Sequence, residues 1–375
     1  MTSNDRKSNS RLLPGQVRSA IDAALAIAPS GSMTIREIEE YVQRAVGHKV
    51  PSSSIRSSLN LREGESVVRV TRGSYALMMK STCEFMPAYE YGNARLYQSD
   101  CLEWLRAQRD NTIHAVVTDP PYGAFEYSVR EQEKLRSRKG GIWRIPPALN
   151  GIERAPVPRF TTMTASDYDV VEDFFVSWAR EIKRVIVPGA NVIVAANPLV
   201  SYRISSALVE GGLERRGEIV RLVQTLRGGD RPKGAHDEFS DVSVMPRSQW
   251  EPWLVYRKPL EGTVASNLRK WKVGGFRRIS DSQPFGDVIK SAPTRAREKA
   301  VAPHPSLKPQ AFLRQIVRAS LPLGEGIVLD PFAGSGSTLA AAEYLSYRSI
   351  GVERDSEYID LAREAIPSLA RLLVE

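Results

Sequence analysis

The sequence predicts an α/β domain with a mostly parallel sheet, preceded by a smaller helical domain. From about residue 93 onward, short apolar runs alternate with stretches of helical periodicity, which is the pattern of strands joined by crossover helices. Before that point, residues 15–80 carry three helical patterns and one hairpin pattern. The length of 375 residues is enough for two domains. The strands predicted for the larger domain are residues 94–98, 113–118, 191–196, 218–224, 253–257, 326–329 and 349–352.

Composition narrows the class of protein. Lys and Arg number 52 against 43 Asp and Glu, and the resulting net charge of +9 favours a polyanionic partner such as nucleic acid. Two cysteines are too few for a disulfide framework or a four-cysteine zinc site, and the four histidines lack metal-ligand spacing. The polar amino terminus has no signal-peptide core, and no run of 18 apolar residues occurs. We therefore expect a cytoplasmic protein with no membrane segment and no metal.

Residues 15–80 are predicted to form the smaller domain, after a polar and disordered arm at residues 1–14. Apolar residues recur at helical spacing from Val17 onward. A second helix is predicted to begin after the capping residue Thr34, and a third at the serines 52–54. Each helix presents one apolar face, so the three can share a small core.

A hairpin is predicted directly after these helices. Two β-prone runs, residues 67–70 and 74–77, flank the turn Thr71-Arg72-Gly73. Three helices followed by a hairpin resemble a winged helix-turn-helix module. The resemblance implies that the third helix presents Arg56, and the turn presents Arg72, to duplex DNA. The alternative is a module that only packs against another domain or a partner. Residues 81–92 are predicted to be a linker.

The first chemical motif is Asp119-Pro120-Pro121-Tyr122, directly after the predicted strand 113–118. It places a carboxylate and an aromatic ring at the end of a strand. The two prolines fix the backbone and remove two hydrogen-bond donors, so a purely rigid turn is the alternative interpretation.

The second motif is Asp330-Pro331-Phe332-Ala333-Gly334-Ser335-Gly336-Ser337-Thr338, which follows a strand and opens a helix. Glycines at such a turn allow a ligand to approach the backbone and the helix N-terminus. A phosphate-binding loop would need a lysine after the glycine, and its absence excludes an ATPase. The next strand ends at Glu353, where an acidic residue can bind ribose hydroxyls. The pattern predicts a nucleoside ligand without a triphosphate.

Together the two motifs resemble those of the amino-group DNA methyltransferases, in the beta-type order that places the catalytic motif before the cofactor loop. The resemblance spans roughly residues 93–365. It implies a Rossmann-like methyltransferase fold with a circularly permuted motif order in a catalytic domain at 93–375. It also implies that S-adenosylmethionine supplies a methyl group to adenine N6 or cytosine N4. The catalytic residues that it implies are Asp119, Pro120, Pro121 and Tyr122.

The resemblance implies a role for each residue of the first motif. Asp119 would accept one hydrogen of the target amino group, and the carbonyl of Pro120 would accept the other. Tyr122 would stack on a base that has been extracted from the duplex.

The resemblance also implies a set of cofactor-binding residues. His304-Pro305-Ser306-Leu307-Lys308-Pro309 is similar to the family's His-Pro-Thr-Gln-Lys-Pro, with Ser306 and Leu307 as departures. Asp100 ends the strand before the catalytic one, and a helix N-cap is its alternative role. The full set is Asp100, Lys308, Pro309, Asp330, Phe332, Ala333, Gly334, Ser335, Gly336, Thr338 and Glu353.

The beta-type order places the target-recognition region at 227–300. Basic residues there could contact phosphates or guanines, and a solvated basic face is the alternative. Those residues are Arg227, Arg231, Lys233, Arg269, Lys270, Lys272, Arg277 and Arg278. The loop 124–165 could close over the extracted base.

Several functions remain open on the sequence alone. Neither cysteine follows a proline, which excludes a cytosine-C5 enzyme by resemblance. Asp at the first motif position is typical of adenine-N6 enzymes, with cytosine N4 as the alternative. RNA or protein substrates, and a DNA-binding regulator with an inactive methyltransferase fold, are further alternatives. Double-stranded DNA is the predicted partner, and the resemblance leaves open a homodimer and a cognate restriction endonuclease.

Overall fold

The computed structural model divides the chain into two units, residues 1–84 and 85–375. The residues that it describes are 16–26, 28, 32–47, 49–62, 67–77, 85–121, 165–223, 231–232, 234–303 and 307–374. Three predicted site residues lie outside them: Tyr122, Arg227 and Lys233. The predicted arm 1–14, residues 304–306 and residues 122–164 also lie outside, and with them nearly all of the loop 124–165.

The smaller unit consists of helices around one apolar core and a three-stranded antiparallel sheet. Its elements are α1 Gln16–Ala26, β1 Met33–Thr34, α2 Ile35–Val46, α3 Ser52–Asn60, β2 Val67–Thr71 and β3 Ser74–Leu77, with the sheet order β1-β3-β2. Thr34 begins α2 with a capping box, because its hydroxyl accepts the backbone N–H of Glu37 at 3.3 Å. Ile21, Ile38 and Leu59 are fully buried in the core.

In the larger unit, the described strands form one nine-stranded sheet. The strands are β4 Tyr89–Tyr91, β5 Ala94–Gln98, β6 Ile113–Thr118, β7 Ile186–Ala195, β8 Glu214–Leu222, β9 Trp250–Arg257, β10 Val288–Lys290, β11 Ile327–Asp330 and β12 Arg348–Glu353. The helices are α4 Cys101–Ala107, α5 Ala165–Val185, α6 Ser201–Glu210, α7 Val264–Trp271, α8 Ala296–Val301, α9 Gln310–Ser320, α10 Ser337–Tyr344 and α11 Ser356–Arg371.

The order of the strands creates a crevice between β6 and β11. The sheet runs β10-β8-β9-β7-β6-β11-β12-β5-β4, and only β9 and β4 pair antiparallel to their neighbours. The chain reaches β6 from β5, which lies on the far side of β12, and it leaves β11 toward β12. Strand order therefore reverses between β6 and β11, and ligands of such sheets bind outside the carboxyl ends of the strands at that point.

We call the end of the sheet at which the parallel strands finish the carboxyl edge, and the end at which they begin the amino edge. Thr118, Asp330 and Glu353 end three parallel strands at the carboxyl edge. Because β9 runs antiparallel, its first residues, Trp250 and Glu251, also lie at the carboxyl edge.

The structure differs from the predicted elements at several points, including the start of β8 at Glu214 rather than at residue 218 and of β9 at Trp250 rather than at residue 253. Strand β7 begins at Ile186 rather than at residue 191, because its pairing with β6 continues across an irregularity at Pro188-Gly189. The predicted linker 81–92 contains β4, which pairs with β5 because Tyr89 and Tyr91 both turn toward apolar neighbours. The prediction omitted β10, since three residues are too few for a periodic pattern. Within the described residues, no helix has the length and apolar content to cross a membrane.

Candidate active site

The two sequence motifs meet at the carboxyl edge. The Thr118 hydroxyl donates a 2.6 Å hydrogen bond to Oδ1 of Asp330, which ties the end of β6 to the end of β11. Asp119 and Asp330 line one cavity. Its remaining lining comes from Trp253, Lys308, Leu313, Phe332, Ala333, Gly334, Ser335, Ser337 and Thr338.

The backbone of the first motif is anchored by a buried strand. Residues 115–118 of β6 are completely buried, and Pro120 is buried directly after them. Since proline has no N–H, this turn offers carbonyl oxygens and the Asp119 carboxylate to a ligand. It is a hydrogen-bond acceptor surface, suited to a group that donates two hydrogens.

The second motif makes a tight turn that requires glycine. Gly336 has φ of +79°, and a Cβ placed there would lie 2.4 Å from Cγ1 of Ile366 on α11. Helix α10 begins directly after Gly336 and has no side-chain cap at its N-terminus. The first backbone N–H groups of α10 are therefore not used by a capping side chain, and Ser337 and Thr338 line the cavity.

Glu353 closes this turn from the neighbouring strand. One of its carboxylate oxygens accepts the N–H of Gly334 at 2.9 Å, and the other accepts the N–H of Asp355 at 2.9 Å. Two charge-assisted bonds to backbone fix the carboxylate beside the glycine turn. This is the edge at which ribose hydroxyls bind in doubly wound folds.

Asp330 is a buried carboxyl in the floor of the cavity. Burial raises its pKa to about 6, although hydrogen bonds from Thr118, Thr338 and the N–H of Phe332 act in the opposite direction. The neighbouring charge of Asp119 raises the pKa further.

The substitution Asp330→Asn is expected to change how stability depends on pH. A carboxyl whose folded pKa lies above its unfolded value binds more protons in the folded state. The contribution of Asp330 to wild-type stability therefore falls as the pH rises from about 4 to about 6. Asn cannot ionise, so the free energy of unfolding of the variant should gain about 2 kcal/mol relative to wild type between pH 4 and pH 7. Urea unfolding at a series of pH values measures this difference. Parallel curves for the two proteins would contradict the assignment, and Asp360→Asn on the exposed face of α11 is the control.

Two predicted cofactor residues have other partners in the structure. Asp100 is the N-cap of α4 and accepts the N–H groups of Leu102 at 2.9 Å and Glu103 at 3.1 Å. The alternative role considered for Asp100 is therefore present. Lys308 donates its ammonium to the Asp119 carboxylate and lies 3.3 Å from Oε1 of Glu251. Pro309 is buried at the start of α9.

Glu251 and Arg221 were missed by the sequence analysis. Arg221 on β8 donates to Oε2 of Glu251 at 2.7 Å, and both side chains are largely buried. The sequence offers no clear signal for either residue, since Glu251 precedes the predicted strand 253–257 and Arg221 is one of five charged residues in Glu214–Leu222.

Of the six predicted DNA-binding residues that the structure describes in the larger unit, five lie away from Asp119. Helix α7 packs against the first half of β7, where Asn267 donates to the carbonyl of Pro188 at 2.9 Å. The guanidinium of Arg277 donates to the hydroxyl of Tyr347, just before β12 begins. These contacts place five of the predicted residues at the amino edge, opposite the catalytic motif: Arg269, Lys270, Lys272, Arg277 and Arg278.

Other basic residues are exposed at the carboxyl edge or on the smaller unit. Arg231 is exposed on the connection that leaves β8 at the carboxyl edge. Strand β10 ends at the same edge, and its last residue and the segment after it carry basic side chains that the prediction omitted: Lys290, Arg295, Arg297 and Lys299. In the smaller unit, Arg56 is exposed on α3 and Arg72 is exposed in the turn between β2 and β3. Among the described residues, no three His, Cys, Asp or Glu side chains are grouped as a metal site.

The chain is similar in sequence to known DNA methylases. The sequence model of the DNA methylase family, N6_N4_Mtase, matches residues 113–364. The type II methyltransferase M2.DpnII of Streptococcus pneumoniae is 24% identical over 280 residues, which cover 75% of this chain and 92% of the relative. M.HindIII of Haemophilus influenzae is 25% identical over 294 residues, which cover 71% of this chain and 93% of the relative.

Two solved structures are also similar. A putative DNA modification methylase from Thermus thermophilus, complexed with S-adenosyl-L-methionine, aligns at a TM-score of 0.46 with 21% identity, covering 74% of this chain and 95% of that chain. PvuII DNA methyltransferase, described as cytosine-N4-specific, aligns at a TM-score of 0.48 with 15% identity. The alignment covers 76% of this chain and 93% of that chain.

The family match includes both motifs, from the strand before Asp119 to the helix after Glu353. The family uses S-adenosylmethionine. By that match, this chain belongs to the adenine-N6/cytosine-N4 DNA methyltransferase family.

Proposed function

We propose that this chain transfers a methyl group from S-adenosylmethionine to the N6 amino group of an adenine that has been extracted from duplex DNA. The observation that carries the proposal is the shared cavity of Asp119 and the glycine turn. An acceptor surface for an amino group lies beside a nucleoside-binding turn, so methyl donor and methyl acceptor can meet there.

The residues of the cavity fit the charges of the cofactor. The amino-acid part of S-adenosylmethionine carries one ammonium and one carboxylate. Asp330 offers a buried carboxyl to the ammonium, and the uncapped N-terminus of α10 offers N–H groups to the carboxylate. Glu353 would hold the ribose hydroxyls beside Gly334. When bound, the cofactor supplies an electrophilic methyl group on sulfur.

Asp119 and Pro120 would then prepare the nucleophile. The lone pair of an exocyclic amine is delocalised into the base ring, so the amine is a weak nucleophile. With one hydrogen held by the Asp119 carboxylate and the other by the Pro120 carbonyl, a pyramidal nitrogen with a directed lone pair is favoured. Catalysis of this kind rests on positioning and electrostatics and needs no covalent intermediate. The predicted stacking of Tyr122 on the base belongs to the same proposal.

DNA would be held by basic segments at the carboxyl edge and by the smaller unit. The exposed basic side chains in the segments that leave the carboxyl edge are Arg231, Lys290, Arg295, Arg297 and Lys299. In the smaller unit, α3 would act as the recognition helix and the β2–β3 turn as the wing, and their residues Arg56 and Arg72 are exposed. A second copy of the chain and a cognate restriction endonuclease stay predicted partners.

Mass spectrometry of nucleosides tests the proposal. DNA of varied sequence is incubated with the protein and S-adenosylmethionine, then digested to nucleosides. We expect N6-methyladenine, and none of it without the protein. Formation of N4-methylcytosine instead would show that the target base is cytosine and would leave the proposed mechanism unchanged. Absence of both products, together with absence of cofactor binding by calorimetry, would overturn the proposal and favour a DNA-binding regulator.

A further inference from the structure

Four ionisable side chains form a row along the carboxyl edge, and we call them the charge row: Asp119, Lys308, Glu251 and Arg221. Their charges alternate, so the row is neutral as a whole. Exposed fractions are 16% for Asp119, 13% for Lys308, 20% for Glu251 and 7% for Arg221. Charges buried to this extent must be paired, because an isolated one would be strongly disfavoured.

The row is connected by direct contacts. Lys308 donates to Oδ2 of Asp119 and lies 3.3 Å from Oε1 of Glu251. The other oxygen of Glu251 accepts Nη1 of Arg221 at 2.7 Å. Glu251 therefore bridges the two cations and helps to fix the position of the Lys308 ammonium.

The far end of the row is anchored to the backbone after β10. Arg221 donates through Nε to the hydroxyl of Ser291 at 3.0 Å, and through Nη2 to the carbonyl of Ala292 at 3.2 Å. Its guanidinium lies 5.2 Å from the ring centre of Phe312, whose ring packs 5.2 Å from that of Trp253 in the cavity wall. These contacts hold the Arg221 guanidinium in place, so it can in turn fix the orientation of the Glu251 carboxylate.

Electrostatics favour the charged form of both central residues. Burial lowers the pKa of the Lys308 ammonium, but the carboxylates of Asp119 and Glu251 outweigh it and hold the pKa above its ordinary value. Burial raises the pKa of Glu251, and the charges of Lys308 and Arg221 more than offset this. The Lys308 ammonium also offsets the repulsion between the Asp119 carboxylate and Asp330, a second carboxyl that lines the same cavity.

We propose that Glu251, which lies outside both sequence motifs, is a positioning residue for methyl transfer. With Arg221 it holds Lys308 so that the ammonium fixes the orientation of the Asp119 carboxylate toward the target amino group. This inference rests on the proposed function, since it assigns a task within that reaction. It gives Lys308 a partner in the catalytic motif in addition to the predicted cofactor contact.

The substitution Glu251→Gln tests the inference with little change in shape. We expect the single-turnover methylation rate to fall about 10- to 100-fold, because a misplaced carboxylate disrupts the reactive geometry. The Kd for S-adenosylmethionine and the KM for DNA should stay close to wild type. Without the charge of Glu251, the pKa of Lys308 should fall, since one of the two carboxylates that raise it is lost and Arg221 still opposes its charge. The rate should then decline on the alkaline side at a lower pH than in wild type.

Two further variants make the test specific. Glu251→Asp keeps the charge and should recover part of the rate and the wild-type pH profile, even if Glu251→Gln folds poorly. Glu218→Gln removes a carboxylate on β8 that pairs with Arg215 at 2.6 Å, and it should leave the rate unchanged.

The outcomes separate this inference from the proposed function. An unchanged rate and pH profile in Glu251→Gln, or a loss explained entirely by weaker cofactor binding, would overturn the positioning role. A rate in Glu251→Asp as low as in Glu251→Gln, with the same altered pH profile, would also count against it. If wild-type protein methylates no DNA in the same assay, the proposed function itself fails.

Discussion

Asp119→Asn is expected to lower the rate of methyl transfer about 100-fold or more while leaving cofactor binding largely intact. Asn has the shape of Asp but carries no negative charge, so it holds an amino hydrogen more weakly as positive charge develops on the nitrogen. Removing one preorganised electrostatic contact in a buried site has an effect of this size. The substitution also takes a carboxylate partner from Lys308, so some loss of thermal stability should accompany it.

Single-turnover methylation and calorimetric titration with S-adenosylmethionine measure the two effects separately. Asp360→Asn is the matched control, because Asp360 on α11 is 81% exposed and pairs only loosely with Arg363 at 3.6 Å. A variant that methylates DNA at the wild-type rate would remove Asp119 from the mechanism. A variant that binds no cofactor would show that the main role of Asp119 is in the cavity's structure.

Glu353→Gln is expected to weaken the binding of S-adenosylmethionine about 10- to 100-fold. The Glu353 carboxylate accepts two backbone N–H groups, from Gly334 and Asp355. A Gln side chain replaces one acceptor by an NH2 group, which would face one of those N–H groups. The glycine turn would loosen, and the bonds proposed for the ribose hydroxyls would lose their charged acceptor.

Isothermal calorimetry gives the Kd, and the cofactor-induced rise in melting temperature gives an independent measure. Glu357→Gln is the control, since Glu357 is an exposed glutamate four residues along the chain in the first turn of α11. If wild type and Glu353→Gln bind S-adenosylmethionine with equal affinity, the ribose hydroxyls do not bind Glu353.

The local parts of the site could be predicted because each motif joins a strand to its own turn. Strands β5 and β6 lie at the predicted residues, and Asp119 follows β6 as expected. Gly336 adopts the left-handed backbone that makes glycine necessary at the turn. These features depend on neighbours within a few residues, which a sequence pattern contains.

The parts that could not be predicted depend on contacts between distant segments. Lys308 and Asp119 are 189 residues apart, and nothing in either motif indicates that they pair. The basic residues of α7 were expected to contact DNA because the chain order places them in the recognition region. The antiparallel direction of β9 instead takes the chain back to the amino edge before α7 begins. Strand direction at that point is a property of the whole sheet rather than of the local pattern.

The hydrogen bond between Thr118 and Asp330 has a consequence for how the protein is made. These residues are 212 positions apart, so at about 5–20 residues per second a ribosome needs roughly 10–40 s to synthesise the intervening chain. During that interval β6 can pair with β7, but its other side has no β11 to pair with, and an open strand edge is a site for misassociation. The active site of this chain therefore forms late in synthesis. Until β11 has been made, the unpaired side of β6 must be shielded from other chains by some other contact.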